Sequence, residues 1–331
     1  MSRKKLEALG LNLPLYPTTS VGSFAKPPEL AKARAAFARK EITEAQLREA
    51  ADRATTFWVQ KQEELGVDIL VDGEMDRGDM VEFFADLMGG FTKGGWVRSY
   101  GNRYYHKPIV TGPVAWEGPM TVDRWRFAQK LTHKPVKGML TGAYTIMDWS
   151  FDEHYPDRRA CTLAIARELR KEVAALVGAG AKIIQIDEPA LSVRPHEVGL
   201  VAEAMRLSTE GLNAYFVTHV CYGDFDRVYP AMLDIPVDNF DLEMANSGLD
   251  LLHALERSPF RGDLSLGVVD VHSHEIESSA VAAERIRKVR AVVAPENIWI
   301  DPDCGLKTRT VQESIEKMRV VVEAAKAARA G

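Results

Sequence analysis

Short runs of β-branched and other apolar residues alternate with longer amphipathic stretches along almost the whole chain. The runs lie at residues 18–24, 68–72, 108–114, 138–146, 182–186, 214–220, 240–243, 264–271 and 297–300. Apolar runs of this length read as buried strands. Between them, residues 44–64, 158–177, 198–207, 249–256 and 280–293 carry their apolar side chains at helical period. Gly178-Ala-Gly180 stops one such helix just ahead of the run at 182–186. Strands alternating with helices imply a parallel sheet with helical crossovers, so the expected class is α/β. Eight such units close a TIM (β/α)8 barrel; one run is in excess. Residues 96–105 are aromatic and turn-rich without a helical period, so residues 100–114 are expected to make an antiparallel insertion after the second strand. The predicted organisation is one catalytic domain over residues 1–331, with an N-terminal extension at 1–16 and an insertion at about 90–130. A doubly wound open sheet is the rival. No Gly-rich phosphate loop follows the first run, which counts against its dinucleotide-binding version.

Composition narrows the function. The chain has 331 residues, 46% hydrophobic and 27% charged, with a formal net charge of -5. Mild acidity argues against a general nucleic-acid binder, which would present a basic face. No apolar run reaches the roughly 18 residues that span a bilayer, so no membrane partner is expected. The basic start, Met1-Ser2-Arg3-Lys4-Lys5, has no apolar segment behind it and does not read as a secretory signal. Three cysteines, Cys161, Cys221 and Cys304, are too few and odd in number for a disulfide framework, which points to a reducing cytoplasm.

The chemistry gathers at the ends of the strands. Those ends read Gly22-Ser23, Asp72-Gly73-Glu74, Asp187-Glu188, His219-Val220-Cys221, Glu243, Asp270-Val271-His272-Ser273 and Asp301-Pro302-Asp303-Cys304-Gly305. In a barrel they converge on one mouth. His219 and Cys221 are two apart, so on a strand they point to the same side. With Glu243 and Cys304 they make two thiolates, an imidazole and a carboxylate, a set suited to one Zn2+ per chain. The plainer reading is two buried cysteines and a satisfied core histidine; two of only three cysteines at strand ends favours the metal. Cys161 lies in a helical stretch and reads as packing.

A zinc with that much negative charge around it activates water poorly but holds a thiolate well. A free thiol titrates near ~8.5, so the site points to alkyl transfer onto sulfur. Glu74 and Asp187 could grip an amino group, or form salt bridges inside the fold. Ser23 could donate to a carboxylate, or cap the helix that follows. His272 could give a proton at neutral pH, or be a core histidine.

The chain resembles the catalytic barrel of the cobalamin-independent methionine synthases. The resemblance is carried by Pro17-Thr-Thr-Ser-Val-Gly-Ser-Phe24, Asp72-Gly-Glu74, Val136-Lys-Gly-Met-Leu-Thr-Gly142, Trp149-Ser-Phe151, Ile184-Gln-Ile-Asp-Glu-Pro-Ala-Leu191, Thr218-His-Val-Cys221, Asp270-Val-His-Ser273 and Asp301-Pro-Asp-Cys-Gly-Leu-Lys-Thr-Arg309. It implies that His219, Cys221, Glu243 and Cys304 are the zinc ligands. It implies that Val21, Gly22, Ser23, Glu74 and Asp187 hold the amino-acid part of homocysteine, and that His272 is the proton donor. The implied reaction is methylation of the homocysteine thiol to give methionine.

For the methyl donor, Arg103 and Trp149 match folate contacts, whereas Tyr104 stands where the family commonly has cysteine and Val193 where it has a folate-binding glutamate. The length also leaves room for one barrel, not two. Similarity to short single-barrel relatives therefore implies methylcobalamin, or a methylated corrinoid protein as partner, with methyl-folate polyglutamate as the alternative. Alkylation of coenzyme M and non-catalytic homocysteine or methionine binding are further alternatives.

Overall fold

The computed structural model describes residues 2–99, 103–221 and 225–330. Among the described residues, nine strands fall into two sheets. The larger is parallel and joins β3 (Gly138–Thr141), β5 (Ile183–Asp187), β6 (Tyr215–Val220), β7 (Asn239–Leu242), β8 (Asp263–Gly267) and β9 (Ile298–Asp301), in that order. The smaller joins β1 (Met88–Ser99), β2 (Arg103–Trp116) and β4 (Phe151–Asp152).

The run at 18–24 and the one at 68–72 form no ladder, but backbone hydrogen bonds tie both to the outer strands of the large sheet. Thr19 donates to Ile300, and Ile300 to Pro17; Ile69 donates to Thr18; Leu70 donates to Pro135, and Lys137 to Leu70. The expected insertion is present and antiparallel, but its first strand is β1, not residues after 100. The run at 138–146 is shorter than expected: the strand stops at Thr141 and Ala143–Asp148 is helical.

Strand alternation sorts the side chains into two cores. Ile184, Ile186, Phe216, Phe240, Leu242, Leu264, Leu266, Ile298 and Ile300 pack with the helices in the large core. The other face starts apolar: Ile183, Tyr215, Val217 and Trp299 cluster with Ile69 under Leu6 and Leu11 at the N-terminal helical segment. Two residues further along the same strands that face turns polar, with Gln185, Asp187, His219, Asp241, Glu243, Asp301 and Asp303 all buried. A face that is apolar at one end and polar at the other fixes the site at the C-terminal ends of the strands. Among the described residues no helix is long and apolar enough to cross a membrane.

Candidate active site

His219 is the fifth residue of β6 and Cys221 follows its end, while Cys304 sits three residues beyond Asp301, where β9 stops. The ligand atoms of these three residues lie within 4.8 Å of one another. His219 Nδ1 is 3.0 Å from Asp241 Oδ1. That contact leaves Nε2, which is buried without a hydrogen-bond partner among the described residues. An orphaned imidazole nitrogen beside two thiols is what a metal would satisfy, and a carboxylate behind the ligating histidine is the usual support for one.

The two sulfurs differ. The Cys221 hydrogen bond and the nearby His219 hold Cys304 well below the usual thiol range, against the effect of burial. Cys221 is pushed well above it by Cys304 and by burial.

Glu243 stands one residue past β7 and is buried, but it is not in the 4.8 Å group. Its Oε1 lies 3.3 Å from His272 Nε2 and accepts from Asn246 Nδ2 at 2.8 Å. The Glu243 contact raises the His272 pKa although burial opposes it. The loop carrying Glu243 is fastened to the one carrying Cys304: the Asp303 carboxylate accepts from the backbone N–H of Met244, Ala245 and Asn246 at 3.0, 2.8 and 2.6 Å.

The residues expected on the substrate side meet this cluster through the segment at 21–24. Leu306 N–H donates to Ser23 at 2.7 Å. A Cβ on Gly305 would stand 2.1 Å from Ser23 Oγ, so only glycine lets the cysteine loop approach this serine. A Cβ on Gly22 would lie 3.2 Å from Glu74 Oε1. Glu74 has a left-handed backbone (φ 58) and its carboxylate lies 3.4 Å from Arg77 Nη1, so the ion-pair reading holds in part for Glu74. Asp187 has no such cation within 4.0 Å among the described residues; its Oδ1 accepts from Gln185 Nε2 at 2.8 Å. Burial, only partly offset by His219 and the Gln185 hydrogen bond, lifts its pKa to about 7.

Trp149 caps the helix Ala143–Asp148 and is half-buried. Arg103 opens β2, and its side chain lies outside the described residues. Tyr104 and Val193, the two departures from the family pattern, are 62% and 68% exposed. Sequence reading missed Lys137, Gln185 and Asp241, and placed Asp301 at a strand end without giving it a role. The signal was there: Gln185/Asp187, Asp241/Glu243 and Asp301/Asp303 repeat a polar residue at alternate positions in otherwise apolar strands.

The chain matches the family described as "Cobalamin-independent synthase, Catalytic domain" over residues 16–327. It is 41% identical over 339 residues to a 5-methyltetrahydropteroyltriglutamate–homocysteine methyltransferase of Bacillus licheniformis, covering 99% of this chain and 44% of that protein. A protein of the same name from Chelativorans sp. is 40% identical over 341 residues, with the same two coverages. The chain thus spans less than half the length of these curated relatives. Among solved structures, a B12-independent methionine synthase from Shewanella sp. in complex with selenomethionine superposes with TM-score 0.86 at 26% identity, covering 96% of this chain and 98% of that one. A structure from Listeria monocytogenes, titled a putative vitamin-B12 independent methionine synthase, has TM-score 0.77 at 21% identity and shares the fold.

These findings overturn the corrinoid expectation as donor, as cofactor and as partner protein. The matched family is cobalamin-independent, and the relatives are named for a folate donor. Neither one-barrel length nor the departures at Tyr104 and Val193 mark a corrinoid donor: the Shewanella protein, matched over 98% of its chain, is B12-independent.

Proposed function

We propose that this chain, which belongs to the cobalamin-independent synthase catalytic-domain family, transfers a methyl group from a methyl-folate polyglutamate to the thiol of homocysteine, forming methionine. The observation that carries the reading is the cluster of His219, Cys221 and Cys304 at adjoining strand ends. These residues, with Glu243 beside them, are the candidates to hold zinc. Zinc bound there would keep the homocysteine sulfur as a thiolate at neutral pH.

The remaining work falls to the chain's own side chains. Asp187 and Glu74 hold the substrate ammonium, and Ser23 donates to its carboxylate, with Val21 and Gly22 shaping the turn. A bond forms between sulfur and the methyl carbon as the carbon–nitrogen bond of the folate breaks, its electron pair staying on nitrogen. That nitrogen is a poor leaving group unless protonated, and His272, whose pKa Glu243 raises, holds the proton for it. Trp149 and Arg103 are the candidates on the donor side. The alternatives of coenzyme M alkylation and non-catalytic binding lose support, because the relatives are named for homocysteine methylation.

We read the fold as one closed (β/α)8 unit over residues 1–331. Residues 17–19 and 68–71 would supply the two staves missing from the six-stranded sheet, and the hydrogen bonds that join them to its outer strands support this. A cytoplasmic setting suits three unpaired cysteines.

The test is methionine formation by the zinc-loaded protein from homocysteine and methyl-folate triglutamate, followed by mass spectrometry. We expect methionine in step with demethylated folate; none from a folded, zinc-loaded protein would reject the folate reading. A second expectation concerns pH. Only the ionised Asp187 attracts an ammonium, and its carboxyl titrates near 7. Affinity for methionine, which has no thiol to complicate the titration, should therefore rise about tenfold from pH 6 to pH 8. In Asp187→Asn the profile should be flat; an equally steep profile there would assign the titration to another group.

A further inference from the structure

Gln185 is fully buried at the centre of β5, and every polar atom of its amide is used. Its Oε1 accepts from Lys137 Nζ at 2.5 Å. Its Nε2 donates to the Val21 carbonyl at 2.7 Å and to Asp187 Oδ1 at 2.8 Å. Val21 and Asp187 flank the amino-acid end of the substrate in the reading above, on which this inference rests, yet they are 166 residues apart in sequence (187 − 21). One amide joins them.

The amide can point only one way. Lys137 carries donors there, so it must face the oxygen. Reversing the group would set the NH2 against the Lys137 amine and the oxygen against both a carbonyl and a carboxylate. Lys137 is itself fully buried, so its position does not drift with solvent. With Oδ1 committed to Gln185, the second oxygen of Asp187 is the one left for a ligand. Asp187 keeps 9% of its surface open, and no Lys or Arg is within 4.0 Å of it among the described residues.

We propose that Gln185 is a positioning residue for recognition of the substrate's α-amino group, with Lys137 setting the direction of its amide. Gln185 touches no reacting atom. It holds the Asp187 carboxylate and the Val21 turn in one frame, and through them gives the site its preference for an α-amino thiol or thioether over the same molecule without the amino group.

The experiment is calorimetric titration of the full chain with methionine and with 4-(methylthio)butanoate, which lacks only the amino group. The unmodified protein should prefer methionine by roughly 10–100-fold, the range for a hydrogen bond between charged groups. Gln185→Leu should cut that preference to within about threefold while leaving the affinity for 4-(methylthio)butanoate unchanged. Because Gln185→Leu strands the Lys137 amine and could unfold the protein, Lys137→Met/Gln185→Leu removes both partners together and should show the same loss of discrimination. A preference kept in the variants overturns the proposal. So does an equal loss for both ligands, which would mean that Gln185 only packs. An unmodified protein that binds neither ligand rejects the homocysteine-site reading itself, and this inference with it.

Discussion

Cys304→Ser is expected to lower zinc affinity by about 100-fold or more and to reduce homocysteine-dependent turnover by at least as much. The sulfur that is lost sits in a group whose three ligand atoms lie within 4.8 Å of one another. It is also the member already driven toward the thiolate by Cys221 and His219. A serine hydroxyl does not ionise at neutral pH and offers a hard oxygen where zinc favours sulfur. Zinc per chain after dialysis, measured by mass spectrometry, reads the first effect, and methionine formation the second. The control is Cys161→Ala. Cys161 is fully buried in the helix Arg158–Ala179, and burial pushes its thiol up to about 12, so it takes no part in ligation. Zinc retained by Cys304→Ser at the unmodified level would end the metal-centre reading.

The largest loss of stability is expected from Glu172→Leu, about 4 kcal/mol or more. Glu172 is fully buried and accepts four hydrogen bonds. They come from Trp116 Nε1 at 2.9 Å, Met120 N at 2.8 Å, Thr121 N at 2.7 Å and Thr121 Oγ1 at 2.8 Å. Leucine fills the volume but strands four donors, three of them buried and the Trp116 indole part-buried, each buried one at a cost of about 1–3 kcal/mol before relaxation. Urea unfolding measures the loss. Glu168→Ala, which removes a part-buried acceptor for Trp116 N on the same helix, should cost about 1 kcal/mol. Equal midpoints for Glu172→Leu and the unmodified chain would show that this cluster does not fasten the insertion to the helix.

Much of the fold was legible because buried parallel strands are short apolar runs and their helices keep a 3.6 period. The misses have local causes. β1 was overlooked because Gly89-Gly90 and Gly94-Gly95 lower its strand propensity, yet those glycines make its irregularities possible. The register shifts between Gly89 and Phe91 and between Lys93 and Trp96, and at Gly90 (φ +89) a Cβ would stand 2.5 Å from the Pro113 carbonyl oxygen. The run at 138–146 looked like one strand because its second half is just as apolar. What turns it into a helix is Glu188, whose carboxylate accepts from Tyr144 N at 3.2 Å and from Thr145 N at 2.8 Å. No periodicity registers a partner more than forty positions away.

The site divides the same way. His219, Cys221 and Cys304 could be read from residue type and strand-end position. That Glu243 faces His272 could not, since it depends on how two loops are tied through Asp303. Gln185 and Lys137 were hidden because a glutamine inside a strand and a lysine just ahead of one look like ordinary polar positions until their partners are known.

Among the described residues the insertion sheet and the parallel sheet share no ladder. β1 and β2 can therefore lengthen, shorten or change sequence without moving the register of the strands whose ends lead into Cys221 and Cys304. Away from Arg103, descendants of this chain can vary the insertion while keeping the cluster of His219, Cys221 and Cys304 intact, so divergence among relatives should accumulate in the insertion first and reach the strand ends last.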